Sequence, residues 1–215
     1  MKNLYYIAVE GVIGVGKTSL AELLSERLSA KLIAEKFEEN PFLSDFYRDP
    51  ERYAFQTQVF FLLSRYRQQQ ELRQIDMFHK MIISDYMFVK DRLFASLNLN
   101  EKEMSLYDTV ANLLERTVMS PDLVIYLQAD TDRLIERIID RSRDFERNVS
   151  REYIDALNQV YNEFFFRYQD SPLFIINTNN IDFVKNEDDL EEVIRYIRQP
   201  VSGTKFFNPT VDFGE

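Results

Sequence analysis

Five short runs of apolar residues are spaced along the chain, and longer stretches with helical periodicity separate them. Each run is nearly continuous in apolar character and contains β-branched or aromatic residues, which is typical of parallel strands covered on both faces. The pattern predicts an α/β fold with a five-stranded parallel sheet, whose strands lie at 5–9, 31–35, 81–85, 123–127 and 173–177.

The stretches between these runs predict helices. One at 17–29 carries four leucines on a single face, and alternation of strands with helices places helices on both faces of the sheet. Further helices are predicted at 51–74, 101–119 and 150–168, the last with Ser150 as its N-cap. We expect one domain over 1–200, followed by a tail at 201–215 that lacks periodicity and is ordered only by docking.

The turn between the first strand and the first helix contains three of the five glycines in the chain. Residues 11–18, GVIGVGKT, match the P-loop pattern G-x-x-x-x-G-K-[ST] in the required strand–loop–helix context. In such a loop backbone N–H groups and a helix N-terminus bind phosphates, the lysine neutralises charge, and the hydroxyl holds Mg²⁺. The sequence therefore predicts a nucleoside triphosphate site at Gly11, Val12, Ile13, Gly14, Val15, Gly16, Lys17, Thr18 and Ser19.

Arginines are concentrated in the second half of the chain. Arg133, Arg137 and Arg141 recur every four residues along one predicted helix face, and Arg143 extends the row into the next loop. Small phosphotransferases close basic side chains over the transferring phosphoryl group. Next to a P-loop, the row predicts an Arg-rich lid over 133–150.

The composition of the chain excludes or disfavours several classes of function. The chain has no cysteine and one histidine, His79, which excludes disulfides and thiolate sites and disfavours His-based catalysis or metal binding. A net charge of −10 argues against binding a nucleic-acid polymer. Because no apolar run has the length of a signal peptide or membrane span, we expect a cytoplasmic protein without membrane partners. The guanine motif N-K-x-D and the switch motif D-x-x-G of GTPases are both missing.

These motifs, taken together, resemble the deoxynucleoside kinases, P-loop enzymes that phosphorylate the 5′-hydroxyl of deoxyribonucleosides. The resemblance spans roughly residues 4–198 and rests on ordered blocks at 34–67, 84–95 and 137–154 besides the P-loop. It implies a P-loop nucleoside kinase fold, ATP as phosphoryl donor and Mg²⁺ as cofactor.

The resemblance also implies roles for individual residues. Glu35 would be the general base that takes the proton of the 5′-hydroxyl, and Asp85 would bind Mg²⁺ with Thr18. Lys17, Arg141 and Arg143 would act on the phosphates, with Arg137 beside them in the ATP site. The sugar 3′-hydroxyl would be held by Tyr47 and Glu146, the base by Gln58, Arg65 and Asp91, and adenine by Asp182 and Phe183 within 179–189.

Two positions depart from the family pattern. The acidic-Arg-Ser motif reads Asp85-Tyr86-Met87, so the arginine that steadies the catalytic carboxylate is missing. Lys90, Arg92 or a lid arginine are the candidates to replace it. Glu35 is followed by Lys36 instead of the frequent proline.

The residues leave three interpretations of the activity open. The first is a deoxynucleoside kinase. The set Gln58, Arg65 and Asp91 suits a purine or cytosine better than thymine, and deoxyadenosine or deoxyguanosine is the favoured substrate. A nucleoside monophosphate kinase of thymidylate-kinase type shares the P-loop and lid, but the acidic balance of 35–58 disfavours a phosphorylated acceptor. The missing arginine is the only support for a nucleotide-binding module without turnover.

Two predicted helices carry apolar residues on more faces than packing against one side of the sheet would bury. Residues 59–63 are five consecutive apolar residues, and 101–119 adds Tyr107, Val110, Leu113, Leu114 and Val118. A helix that is apolar all round is buried on all sides. The family resemblance implies a two-fold dimer built from such helices, so we expect a homodimer.

Overall fold

The computed structural model describes residues 5–75, 80–146, 149–199 and 202–208. Six strands form one sheet in the order β2-β3-β1-β4-β5-β6, and every neighbouring pair is parallel. The strands are β1 (Tyr5–Gly11), β2 (Lys31–Ile33), β3 (Met81–Ser84), β4 (Leu123–Gln128), β5 (Leu173–Asn177) and β6 (Thr204–Phe207). The predicted α/β class with a parallel sheet is confirmed.

Helices join the strands, and the four predicted from periodicity are all present. Ser150 caps α7 as predicted, because its hydroxyl accepts a hydrogen bond from the Tyr153 N–H at 3.1 Å. The helices are α1 (Lys17–Leu28), α2 (Leu43–Arg48), α3 (Pro50–Ile75), α4 (Lys90–Asn98), α5 (Glu101–Glu115), α6 (Thr131–Arg141), α7 (Arg151–Arg167) and α8 (Glu187–Ile197). None of these helices, within the described ranges, is both long and apolar enough to span a membrane.

The predicted number of strands is wrong, because the tail contributes a sixth. β6 pairs with β5 in parallel register, and the Leu173 N–H also donates to the Gly203 carbonyl at 3.0 Å. Phe207 anchors this strand: it is buried, and its ring lies 5.1 Å from that of Tyr196 on α8. Of the predicted tail, 201 and 209–215 lie outside the described residues.

The sheet register assigns side chains to its two faces. Glu10 on β1 pairs with Tyr126 on β4, and both face α7, where Tyr161 contacts each of them. The neighbouring residues point to the opposite face, where α1 packs against β1 and Tyr196 of α8 stacks on Phe174 of β5. The carboxyl ends of β1, β2 and β3 meet at one edge of the sheet, the position at which open α/β sheets bind ligands.

Candidate active site

The P-loop crosses this edge between β1 and α1, and its three glycines all have positive φ, as Gly14 and Gly16 illustrate. Gly14 has φ +86°, and a Cβ there would lie 2.8 Å from the Leu134 carbonyl oxygen of α6. Gly16 has φ +102° at the N-cap of α1, and a Cβ there would lie 3.2 Å from the Phe183 ring. The loop is therefore held close to α6 and to the segment that follows β5.

Lys17 folds back over the P-loop, where its ammonium donates to the Val12 carbonyl at 3.0 Å. Burial, and after it the positive charge of Lys90, lower the pKa of Lys17 to about 7, although Glu10, Glu35 and Asp85 favour its charged form. An anion brought to this ammonium stabilises the charged form. A phosphate bound beside Lys17 would therefore raise its pKa and favour the ammonium form.

Asp85 links three elements just beyond β3. One carboxylate oxygen accepts from the Thr18 hydroxyl at 2.6 Å, and the other accepts from the Glu35 backbone N–H at 2.7 Å. Mg²⁺ prefers oxygen ligands and usually keeps waters and phosphate oxygens beside one or two protein groups. The adjacent oxygens of Thr18 and Asp85 fit such an ion, and the described residues contain no cluster of three acidic, His or Cys ligands.

Glu35, two residues after β2, is held by two cations. Arg65 donates to one carboxylate oxygen, and the Lys90 ammonium donates to the other at 2.5 Å. Burial alone would raise the pKa of Glu35, but the charges of Arg65, Lys90 and Lys17 outweigh it and hold the pKa well below its usual range. Glu35 is therefore ionised and oriented at neutral pH.

Arg65 connects this carboxylate to the deep end of the cleft. Its guanidinium donates to Asp91 as well as to Glu35, and it is almost completely buried. The rings of Phe61 and Tyr86 lie 5.0 and 5.7 Å from its central carbon. Two carboxylates and two aromatic rings thus fix a single guanidinium orientation.

Three buried oxygens line the same wall without a hydrogen-bond partner among the described residues. They are Thr57 Oγ1 and Gln58 Oε1 on α3 and Asp91 Oδ2 on α4. Buried polar atoms in folded proteins are nearly always paired, so each unpaired one needs an explanation. Here all three border the cleft, where a bound polar ring can supply the missing donors.

The opposite wall comes from α2 and from the loop after α6. Arg141 donates to both carboxylate oxygens of Glu146, at 2.5 and 2.7 Å, and Arg143 lies 3.8 Å from the same carboxylate. The Tyr47 ring stacks on Phe145 at 6.3 Å. Of the segment predicted as a lid, the last residue of α6 and the residues that follow it therefore line the cleft.

A second groove runs along the outer side of the P-loop. It brings together Gly14, Val15, Gly16, Ser19, Arg137, Arg141, Asp182 and Phe183, all predicted to bind ATP. Arg137 is already engaged there: its guanidinium donates to the carbonyls of Val15 at 3.1 Å and of Thr178 at 2.7 Å. These hydrogen bonds link the P-loop to the segment that follows β5.

One cleft thus collects every residue predicted for catalysis, the nucleoside and the metal: Lys17, Thr18, Glu35, Tyr47, Gln58, Arg65, Asp85, Asp91, Arg141, Arg143 and Glu146. Arg92, one candidate for the missing arginine, points elsewhere and bonds Asp108 on α5 at 3.1 Å. Within the predicted lid, Arg147 and Asn148 lie outside the described residues.

Other cleft residues are absent from the predicted set. The apolar walls come from Phe37, Leu43, Phe46, Phe61, Phe94 and Phe145. The sequence does not distinguish these residues from ordinary core residues, since apolar and aromatic side chains on helices usually belong to the core. Glu10, which is buried and does not line the cleft, gives a clearer signal, because it is a carboxylate inside an apolar strand. It accepts from the Met87 N–H at 2.6 Å and so fixes the turn between β3 and α4.

Comparison with known proteins identifies relatives of the chain. A family model for deoxynucleoside kinases matches residues 7–202. A deoxyguanosine kinase of Bacillus subtilis is 31% identical over 206 residues, which cover 93% of this chain and 99% of the relative. A deoxyadenosine kinase of Dictyostelium discoideum is 35% identical over 210 residues, 94% of this chain and 82% of the relative.

A solved structure has the same fold. The deoxyadenosine kinase of M. mycoides, with products dCMP and a flexible dCDP bound, superposes with a TM-score of 0.80 at 27% identity. The match covers 89% of this chain and 98% of that one.

Proposed function

Since the chain belongs to the deoxynucleoside kinase family, we propose that it transfers the γ-phosphoryl group of ATP to the 5′-hydroxyl of a purine deoxyribonucleoside, a nucleotide salvage reaction. One observation carries the proposal. The ionised Glu35 lies in the same cleft as the P-loop lysine Lys17, and the far wall of that cleft holds unpaired buried oxygens of Gln58 and Asp91. A nucleoside fits this arrangement with its 5′-hydroxyl at Glu35 and its base at the far wall.

Residues at different positions along the cleft have different roles in this proposal. Glu35 accepts the proton of the 5′-hydroxyl, and Tyr47 with Glu146 holds the 3′-hydroxyl. Lys17, Arg141 and Arg143 neutralise the phosphates, and Asp182 with Phe183 contacts adenine of the donor. Thr18 and Asp85 would hold Mg²⁺, which neutralises charge on the phosphate oxygens when it is bound.

A purine is the proposed base. The free oxygens of Gln58 and Asp91 accept hydrogen bonds, which suits a base edge that presents N–H groups. The names of the two relatives, a deoxyguanosine kinase and a deoxyadenosine kinase, support the same class.

A panel of acceptors tests the proposed function. ATP consumption and product formation are measured with the four deoxyribonucleosides and separately with their 5′-monophosphates. We expect 5′-monophosphates to form from deoxyadenosine or deoxyguanosine most efficiently. Turnover only with monophosphates would instead identify a nucleoside monophosphate kinase, and no acceptor-dependent turnover would leave a nucleotide-binding module.

Replacing Gln58 with alanine should weaken binding of the preferred nucleoside. An unmade bond to a buried polar group costs about 1–3 kcal/mol, so we expect KM for that nucleoside to rise about 5- to 150-fold. Gln56→Ala, on an exposed position of the same helix, is the matched control and should match wild type. Equal losses for every base would show that Gln58 does not read the base.

We also propose that the protein is a homodimer through α3 and α5. Leu106 and Leu113 on α5 are 54% and 62% exposed, and Leu63 on α3 is 39% exposed. Half-buried Val110 lies between the two α5 leucines, so Leu106, Val110 and Leu113 form one apolar stripe. Pairing two copies of this stripe removes it from water.

Sedimentation equilibrium at micromolar protein measures this assembly. We expect twice the 25.7 kDa chain mass for wild type and the single-chain mass for Leu106→Glu/Leu113→Glu. The matched control is Phe166→Glu, which changes another exposed apolar residue, on α7, and should remain dimeric. A monomeric wild type contradicts the dimer, and dissociation by the Phe166 variant alone contradicts the interface.

A further inference from the structure

We propose that Lys90 is a positioning residue for the general base, in place of the arginine that the sequence lacks at position 86. This inference rests on the proposed function, since it concerns how Glu35 is held for the 5′-hydroxyl. Its basis is the geometry around that carboxylate.

The side chain at position 86 does not reach the carboxylate. Tyr86 is fully buried, and its ring lies against the guanidinium of Arg65. Position 86 therefore supports Arg65 by packing and supplies no charge to Glu35. A cation for the second carboxylate oxygen must come from another residue.

Lys90 supplies that cation four residues later. Its ammonium is 2.5 Å from Glu35 Oε2, and both side chains are largely buried, at 7% and 13% exposure. The alternatives fail on geometry, because Arg92 bonds Asp108 on α5 and Arg141 bonds Glu146. Among the described cations, only Arg65 and Lys90 have a hydrogen bond to Glu35.

The backbone around Lys90 holds it in place. Glu10 accepts the Met87 N–H, and the Lys90 N–H donates to the Met87 carbonyl at 3.1 Å as α4 begins. The Lys90 ammonium also lies 5.9 Å from the Phe94 ring, one turn along the same helix. The turn that follows β3 therefore fixes the backbone at Lys90, and Glu35 and Phe94 border its ammonium.

The two cations leave Glu35 able to accept a proton donor. Each carboxylate oxygen has about two lone-pair directions, and Arg65 and Lys90 occupy one on each. With both oxygens held, the carboxylate plane is fixed and a remaining lone pair can face the 5′-hydroxyl. If Lys90 is removed, the carboxylate rotates about its bond to Arg65 and loses that alignment.

The expected effect is on turnover. A displacement of about 1 Å in a reacting group can cost about a hundredfold in rate, so Lys90→Met should lower kcat by about that factor with little change in KM for nucleoside or ATP. Lys90→Arg retains a cation and should recover most of kcat. Lys102→Met, at an exposed position on α5, is the matched control and should match wild type.

A double-variant cycle separates positioning from a structural role. Lys90→Met alone leaves a buried carboxylate with one partner fewer, which endangers folding, whereas Glu35→Gln/Lys90→Met removes both charges of the pair. If Lys90 acts through Glu35, adding Lys90→Met to Glu35→Gln should change the residual single-turnover rate less than about threefold. A further loss of about a hundredfold in that background would overturn the proposal.

The same measurements distinguish a failure of the Lys90 proposal from a failure of the proposed function. Wild-type kinetics in Lys90→Met, in an enzyme that phosphorylates deoxyribonucleosides and depends on Glu35, would overturn the role of Lys90 alone. A wild-type protein that forms no nucleoside monophosphate would overturn the proposed function first.

Discussion

Replacing Glu35 with glutamine should lower turnover by about two to four orders of magnitude, the usual contribution of a general base. Glutamine has the same shape, and its carbonyl oxygen can still accept from one of the two cations, Arg65 or Lys90, but it cannot take a proton. Binding of nucleoside and ATP should therefore remain nearly intact. Steady-state kcat and equilibrium nucleoside binding measure the two effects separately.

The matched control is Glu39→Gln. Glu39 is an exposed carboxylate four residues away, and it lies 3.6 Å from the Lys36 ammonium at the surface. The Glu39→Gln substitution should leave kcat unchanged. A loss of less than tenfold in Glu35→Gln would mean that another group takes the proton, and Asp85, whose carboxylate contacts the Glu35 backbone, would be the next candidate.

Elements that depend on local pattern could be predicted from the sequence. The buried strands β1, β3, β4 and β5 are nearly continuous apolar runs, and α1, α3, α5 and α7 have clear helical periodicity. β2 was also predicted, but it is a three-residue edge strand that is only partly buried. β6 lacks such a pattern, because it is a short edge strand in which only Phe207 is buried. Its structure depends on β5 and α8, which are distant in the chain.

Helix ends and short helices were harder to predict. The helix predicted at 101–119 ends at Glu115, and Thr117 and Val118 continue it only as turns before Pro121. α2, α4 and α8 lie outside the predicted helices. α8 begins inside the segment predicted as the adenine loop, where Asn186 caps it by accepting from the Asp188 N–H at 3.0 Å.

The contents of the cleft could be predicted largely by family resemblance, but its connections could not. Glu35, Arg65 and Lys90 are 25 to 55 positions apart in the chain, and no spacing rule links a residue after a strand to one on a long helix. Lys90, Arg92 and a lid arginine were equal candidates to replace the missing arginine, because a sequence contains no distances. In the fold, Lys90 is the candidate that bonds Glu35, whereas Arg92 bonds Asp108.

Replacing Lys17 with alanine should weaken ATP binding and turnover together. The ammonium is the P-loop cation, and its charge serves the bound triphosphate and the developing transition state alike. Removing one preorganised donor from such a site costs about 10²- to 10³-fold in turnover. Stopped-flow or calorimetric ATP binding and kcat measured on the same preparation give both numbers.

The environment of Lys17 explains why both quantities should fall. Burial and the charge of Lys90 lower the pKa of Lys17 to about 7, and a phosphate bound beside it would favour the charged ammonium. In Lys17→Ala the phosphate loses this partner, while Lys90 and Arg65 stay bound to Glu35 and cannot replace it. Lys31→Ala, at an exposed position on β2, is the matched control. Normal ATP affinity and normal kcat in Lys17→Ala, in a variant that melts at the wild-type temperature, would show that residues 11–18 do not bind the triphosphate.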